Sequence, residues 1–133
     1  MTLYNALIRT HHITSRKKVA ALKRAADGLN CSALIRSSGC PGIMYVEAKE
    51  KDAVESWVGV VRDLRYKDFQ LVSRPASVVV EGGREGQGSA EVKAKSSGKN
   101  TGLKEVESVK EFGSLMEQKG VLAWWRRGMG YIS

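Results

Sequence analysis

Apolar residues in the first half of the chain switch between two periods, and the switches mark out its elements. Ile43-Met44-Tyr45-Val46 is apolar without a break, as in a strand buried at the centre of a sheet. Ala33-Leu34-Ile35-Arg36 is a second strand, and Ser37-Ser38-Gly39-Cys40-Pro41-Gly42 between the two carries the turn residues. Pro41 suits the second position of a type II turn and Gly42 the positive φ of the third, so the stretch predicts a β-hairpin. Upstream, Tyr4 to Ile13 reads as a strand with Ile8, Thr10 and His12 on one face and Leu7, Arg9, His11 and Ile13 on the other. Val19, Leu22, Ala26 and Leu29 then recur at helical spacing. Thr14 or Ser15 caps that helix, and Gly28 or Asn30 ends it. After the hairpin, Val54, Trp57, Val58, Val61 and Leu64 form a second helical stripe, with Asp52 and Glu55 serving its first turn as a capping box. Gly59 within it costs roughly 1 kcal/mol relative to alanine, and close packing is the expected reason for it. Tyr66 to Val72 is the last strand of this half.

Strand, helix, strand, strand, helix, strand is the split βαβ order. The predicted fold is α+β: a ferredoxin-like βαββαβ sandwich over residues 1–73, plus a C-terminal helical extension. Its four-stranded antiparallel sheet has both helices on one face, the first and third strands at the centre, and the other face open. Residues 74–103 mix Gly82, Gly83, Gly86, Gly88, Gly98 and Gly102 with serine, lysine and glutamate, and are predicted to be a flexible linker. Val78-Val79-Val80 is its one strand candidate. Residues 104–133 recover helical spacing. Val106, Val109, Phe112, Gly113 and Met116 share a face with Leu115 at its edge, Gly120 breaks the helix, and Val121 to Arg127 forms a second short one. Trp124 and Trp125 in so short a helix imply that this segment docks on the core.

The 133 residues, 42% of them hydrophobic, suffice for one domain with a core. No apolar run approaches a membrane span, and Met1-Thr2-Leu3-Tyr4-Asn5 lacks the basic-then-apolar form of a signal peptide. Cys31 and Cys40, on either side of one predicted strand, read as reduced thiols. The expectation is an intracellular protein, nuclear or cytoplasmic, with no membrane partner. A net charge of +8 and a pI of about 9.7 favour an anionic partner. The chain shows no enzyme motif. Cys40 lies at a turn without a recognisable base, and the glycines after Val80 open no phosphate-binding helix. His11 and His12, adjacent on a strand, point to opposite faces, and no cluster at ligand spacing completes a set, so neither metal nor cofactor is expected.

Three motifs carry a family resemblance: His11-His12-Ile13 before the basic helix, Gly39-Cys40-Pro41-Gly42-Ile43 leading to Val46-Glu47, and Leu64-Arg65-Tyr66-Lys67. They resemble the C-terminal domain of the spliceosomal protein Prp-three. That family's pattern is paired histidines, a Lys/Arg-rich helix, Gly-x-Pro-Gly, an apolar strand ending in Glu-Gly, and Leu-x-Trp-Lys. The same domain follows an RWD domain in the RWD-domain-containing-two group. Glu111-Phe112-Gly113-Ser114-Leu115, Lys119-Gly120 and the Trp124-Trp125 helix are similar to the end of that branch. The resemblance runs from about Ile8 to Val72 and from about Val106 to Tyr131, with Ala48 in place of the usual glycine and Tyr66 in place of the usual tryptophan. It implies a ferredoxin-like fold and, from the splicing factor, an RNA-binding module for paired small nuclear RNAs.

RNA is therefore the expected partner of this non-catalytic module. Arg9 and His11 come from the first strand, and Arg16, Lys17, Lys18, Lys23 and Arg24 from the helix after it; Arg36, Arg65 and Lys67 come from the edge strands. These would hold phosphates while Tyr45, on the open face, stacks an unpaired base. The alternative is a protein-interaction domain of an RWD-associated protein with no RNA role, presenting the open sheet face or the Trp124/Trp125 helix as an apolar patch. Coverage of the open face by the tail discriminates between the two, because it blocks readout on the sheet unless the tail moves.

Overall fold

The computed structural model of the protein, which describes residues 3–37, 39–78 and 102–130, is built on a five-stranded mixed sheet. In chain order the elements are β1 (Tyr4–Thr10), α1 (Arg16–Leu29), β2 (Ser32–Arg36), β3 (Gly42–Ala48), α2 (Lys51–Asp63), β4 (Gln70–Ser77), β5 (Gly102–Val106), α3 (Val109–Gln118) and α4 (Leu122–Met129). The sheet order is β4-β1-β3-β2-β5. The four predicted strands pair antiparallel, with β1 and β3 inside as expected. The expected strand count is corrected: β5 adds a fifth strand, parallel to β2, with Ser32 opposite Gly102 and Arg36 opposite Val106. The segment expected to be purely helical therefore begins with a strand, and β2 is not an edge. The expected linker over 74–103 overlaps β4 and β5 at its two ends; its middle, 79–101 with Val79 and Val80, lies outside the described residues.

Alternation along the strands sends side chains to two apolar layers. Ala6, Ile8, Ala33, Ile35, Met44 and Val46 face α1 and α2, whose stripes are Val19, Leu22 and Ala26, and Val54, Trp57, Val58 and Val61. The Trp57 indole N–H donates to the Leu22 carbonyl at 3.1 Å, which satisfies the one polar atom this large side chain buries. Leu7, Leu34, Ile43 and Tyr45 face the other way, onto Phe112 and Met116 of α3 and Trp125 and Met129 of α4. Gly128 lets α4 approach closely: a Cβ there would stand 2.9 Å from Leu7 Cδ2 and 3.1 Å from Val72 Cγ1. Both faces of the sheet are thus covered, which suits the unbroken apolar run in β3.

Local signals succeed or fail for identifiable reasons. Ser15 is the N-cap of α1, its hydroxyl accepting from the Lys18 N–H at 3.2 Å, and Asn30 ends the helix in the left-handed region at φ 58°. α2 starts at Lys51, one residue before the proposed Asp52 cap, and no side chain caps it. In the hairpin loop the left-handed glycine is Gly39, at φ 83°, and Gly42 is already in β3, so the predicted type II turn at Pro41-Gly42 is corrected. Gly42 is needed for space: a Cβ there would collide with Thr10 Oγ1 and lie 2.6 Å from Ile13 Cγ1. Gly59 is the reverse case, with nothing within 4 Å of a Cβ, so close packing does not explain it. β1 stops at Thr10 and not at Ile13. Alternation ends there, and Ile13 joins the α1–α2 layer with Ile8.

Candidate nucleic-acid interface

The end of the sheet where β1 finishes gathers three loops and the start of α1. His11 stitches them together: its N–H donates to the Lys67 carbonyl at 3.0 Å, and its carbonyl accepts from the Gly42 N–H at 3.2 Å. Residues 64–69 between α2 and β4 fold tightly through Arg65 and Asp68, both at φ 56°. Arg65 and Lys67, expected on an edge strand, therefore lie on this loop, since β4 begins only at Gln70. A groove of about 480 Å³ opens here between Arg9, Thr10, His11, Cys40 and Asp68. Asp68 Oδ2 lies 3.5 Å from His11 Nδ1.

The predicted cationic residues divide into free and occupied ones. Lys17, Lys23, Arg24, Arg65 and Lys67 are exposed, and Arg9 and His11 are half-buried at the groove. Arg16 is held by Glu105 of β5 through two hydrogen bonds of 3.1 and 2.7 Å. The Glu105 carboxyl, which also accepts from the Ser37 hydroxyl at 2.7 Å, is held below the usual carboxylate range by Arg16 first and Ser37 second. Arg36 is spent on the backbone, donating to the carbonyls of Pro41 at 3.0 Å and Glu107 at 3.4 Å. Lys18 places its ammonium 4.9 Å from the centre of the Tyr66 ring. Burial pushes the Tyr66 hydroxyl up to about 12, so it stays neutral beneath that cation. Lys17, Lys23 and Arg24 on α1 and Arg65 and Lys67 on the 64–69 loop are the exposed cations of the set, while Arg9 lines the groove beside His11, whose imidazole faces the Asp68 carboxylate.

Tyr45 does not belong to that surface. It points away from α1 and α2, as a stacking role requires, but α3 and α4 cover it and leave it 1% exposed. Trp124 packs edge-on against its ring at 5.8 Å, and its hydroxyl donates to Glu47 Oε1 at 2.8 Å while accepting from Asn5 Nδ2 at 3.2 Å. Lys119 closes the arrangement, 3.4 Å from Glu47 Oε2. Burial first, then the Glu47 charge, raises the Tyr45 hydroxyl well above its ordinary value. The expected base-stacking role of Tyr45 is corrected on this geometry: its ring has no free face. Of the two tryptophans named by the protein-interaction alternative, Trp125 is buried at 3% exposure and stacks on Phe112, while Trp124 is half-buried. The sheet face expected to be open is covered, whereas Leu122, Ala123 and Trp124 of α4 keep partial exposure.

The expected separation of His11 and His12 onto opposite faces is also corrected. Both residues follow the end of β1, so strand alternation does not apply, and their rings meet edge to face at 4.1 Å. Cys40 joins them, its Sγ 3.9 Å from His11 Nδ1. The β1–β3 pairing accounts for the cluster: Thr10 pairs with Gly42, so continuing the antiparallel ladder brings the residues after Thr10 to those before Gly42. No described helix is long and apolar enough to cross a membrane.

No family model and no curated protein matches the chain. Among solved structures, a chain described as BlrP1 BLUF is similar at 15% identity and a TM-score of 0.49, over 80% of this chain and 66% of that one. A likeness of that size carries no information on ligand or chemistry.

Proposed function

We propose that the protein is a non-catalytic RNA-binding module that grips phosphates with the outer face of α1 and the cationic end of the sheet. The observation that carries this reading is the meeting of Arg9 and His11 with the 64–69 loop that bears Arg65 and Lys67, through the His11–Lys67 backbone bond and the shared groove, with Lys18 of α1 standing over Tyr66 of the same loop. A net charge of +8 supports it, as does the resemblance of the His-His, Gly-x-Pro-Gly and Leu-x-x-Lys motifs to the Prp-three C-terminal domain family. On this reading β1 to β4 with α1 and α2 are the ferredoxin-like unit of that family, and β5, α3 and α4 its added layer. With Tyr45 covered, recognition runs through the sugar-phosphate backbone, without base stacking on the sheet. The module therefore has little sequence preference and binds duplex and single strands alike.

Fluorescence anisotropy with generic single-stranded and duplex RNA at two salt concentrations tests this. Binding falls steeply with salt, because released counterions supply most of the affinity. K17E combined with R24E weakens every RNA to a similar degree and flattens the salt dependence by about one unit of log K against log salt for each phosphate no longer neutralised. Equal affinity of folded wild type and double variant overturns the proposal.

A further inference from the structure

His12 and Cys40 have no part in phosphate binding, yet they meet His11 at the end of β1. One ligand atom from each of His11, His12 and Cys40 lies within 4.8 Å of the others. Cys40 Sγ stands 3.9 Å from His11 Nδ1, and Asp68 Oδ2 lies 3.5 Å from the same nitrogen. We propose that His11, His12 and Cys40 form a binding site for a zinc-class divalent cation, with the Asp68 carboxylate beside it.

The donor set selects the ion. Two imidazoles and a thiolate suit zinc, whereas magnesium and calcium demand oxygen ligands. Zinc bonds of about 2.0–2.1 Å to nitrogen and about 2.3 Å to sulfur place tetrahedral donors roughly 3.3–3.6 Å apart. The spacings here exceed that range by amounts that side-chain rotation removes, because His12 and Cys40 are exposed. His11 is the fixed member, held through its backbone by Lys67 and Gly42. Three protein ligands leave a fourth position for water or another donor. On binding, the Cys40 thiol releases its proton to solvent and its sulfur bonds the metal, so affinity rises with pH. The negative charge of Asp68 offsets the cationic surroundings of the groove. The second thiol, Cys31, is an internal control: it is buried, its Sγ is 3.5 Å from the Ala53 carbonyl, and burial pushes it up to about 11.

The inference stands on this cluster alone and is tested without RNA. The full reduced chain is titrated with Zn²⁺ against a chromophoric chelator, and with Co²⁺ as a spectroscopic probe. One equivalent of zinc binds, and the cobalt complex shows a thiolate-to-metal charge-transfer band with the intense visible bands of a tetrahedral site. Cys40→Ser abolishes the charge-transfer band and weakens zinc by at least about tenfold, and His12→Ala weakens it comparably. Cys31→Ser changes neither, and circular dichroism of each apo variant matches wild type. Absence of stoichiometric zinc, wild-type affinity in folded Cys40→Ser, or a charge-transfer band that follows Cys31 overturns the proposal. A protein that takes up zinc but no RNA refutes the RNA reading and leaves the metal site standing.

Discussion

Replacing Phe112 by alanine tests whether the second apolar layer is part of the fold or a detachable flap. Phe112 is fully buried between Leu34, Ile43 and Tyr45 of the sheet and the α4 helix, with 0% exposure. Its ring stacks on Trp125 with centroids 5.6 Å apart and planes 18° from parallel. Truncation forfeits the transfer energy of the ring and leaves a cavity, together about 3–5 kcal/mol for a buried phenylalanine. The aromatic pair is worth about 0.5–1.5 kcal/mol of that. Against a typical total stability of about 5–15 kcal/mol, this is a large fraction. Urea unfolding followed by tryptophan emission and far-ultraviolet circular dichroism measures it. Trp57 reports on the α1–α2 layer, and Trp124 and Trp125 on the other. The two signals coincide in wild type and shift together in the variant, by an amount equivalent to a loss of about 3 kcal/mol or more. A loss below about 1 kcal/mol, or an early emission change with the sheet signal intact, would refute the integral layer and reopen the Tyr45 face to ligands.

Other substitutions probe single features. Gly42→Ala drives a methyl against Thr10 and Ile13 and costs about 1–3 kcal/mol of stability, whereas Gly59→Ala, with open space at its Cβ, stabilises α2 by about 0.4–1 kcal/mol; thermal melts that reverse this order refute the assignment. The lowered Glu105 carboxyl supplies stability that is complete above the ordinary carboxylate pKa and is lost as pH falls through the depressed folded value. Arg16→Gln therefore flattens the fall in melting temperature between about pH 5 and pH 3, and unchanged steepness speaks against the pairing. Cys40 reacts with a disulfide reagent at neutral pH and Cys31 only on unfolding, so two fast thiols in the native protein would contradict the burial of Cys31.

The parts of this fold that were legible in the sequence are those decided locally. The stripes of α1 and α2, the Ser15 cap and the apolar β3 all follow from spacing and side-chain chemistry. β5 was not legible because Gly102 to Val106 has few apolar residues and gains its strand identity from Ser32 to Arg36, distant in sequence. The same applies to Tyr45: alternation placed it correctly on the face away from α1 and α2, but only tertiary packing reveals that α3 and α4 lie over it. The cationic residues were visible, yet their division was not. Arg16 and Arg36 are tied to Glu105 and to carbonyls by folding, and no composition argument separates them from Lys17 or Arg24. The His11, His12 and Cys40 cluster is not legible in the sequence because apolar alternation runs on to Ile13, past the end of β1 at Thr10, and alternation over that length puts the histidines on opposite faces.

The most direct test of RNA binding at the sheet end is an amide-resonance titration of ¹⁵N-labelled protein with a generic RNA duplex near physiological salt. The account predicts shift changes concentrated in residues 9–18, in Arg24 and in the 64–69 loop, reversed by added salt, while Tyr45, Phe112 and Trp125 stay in place. No shifts at saturating RNA, or shifts centred on α3 and α4, would contradict it.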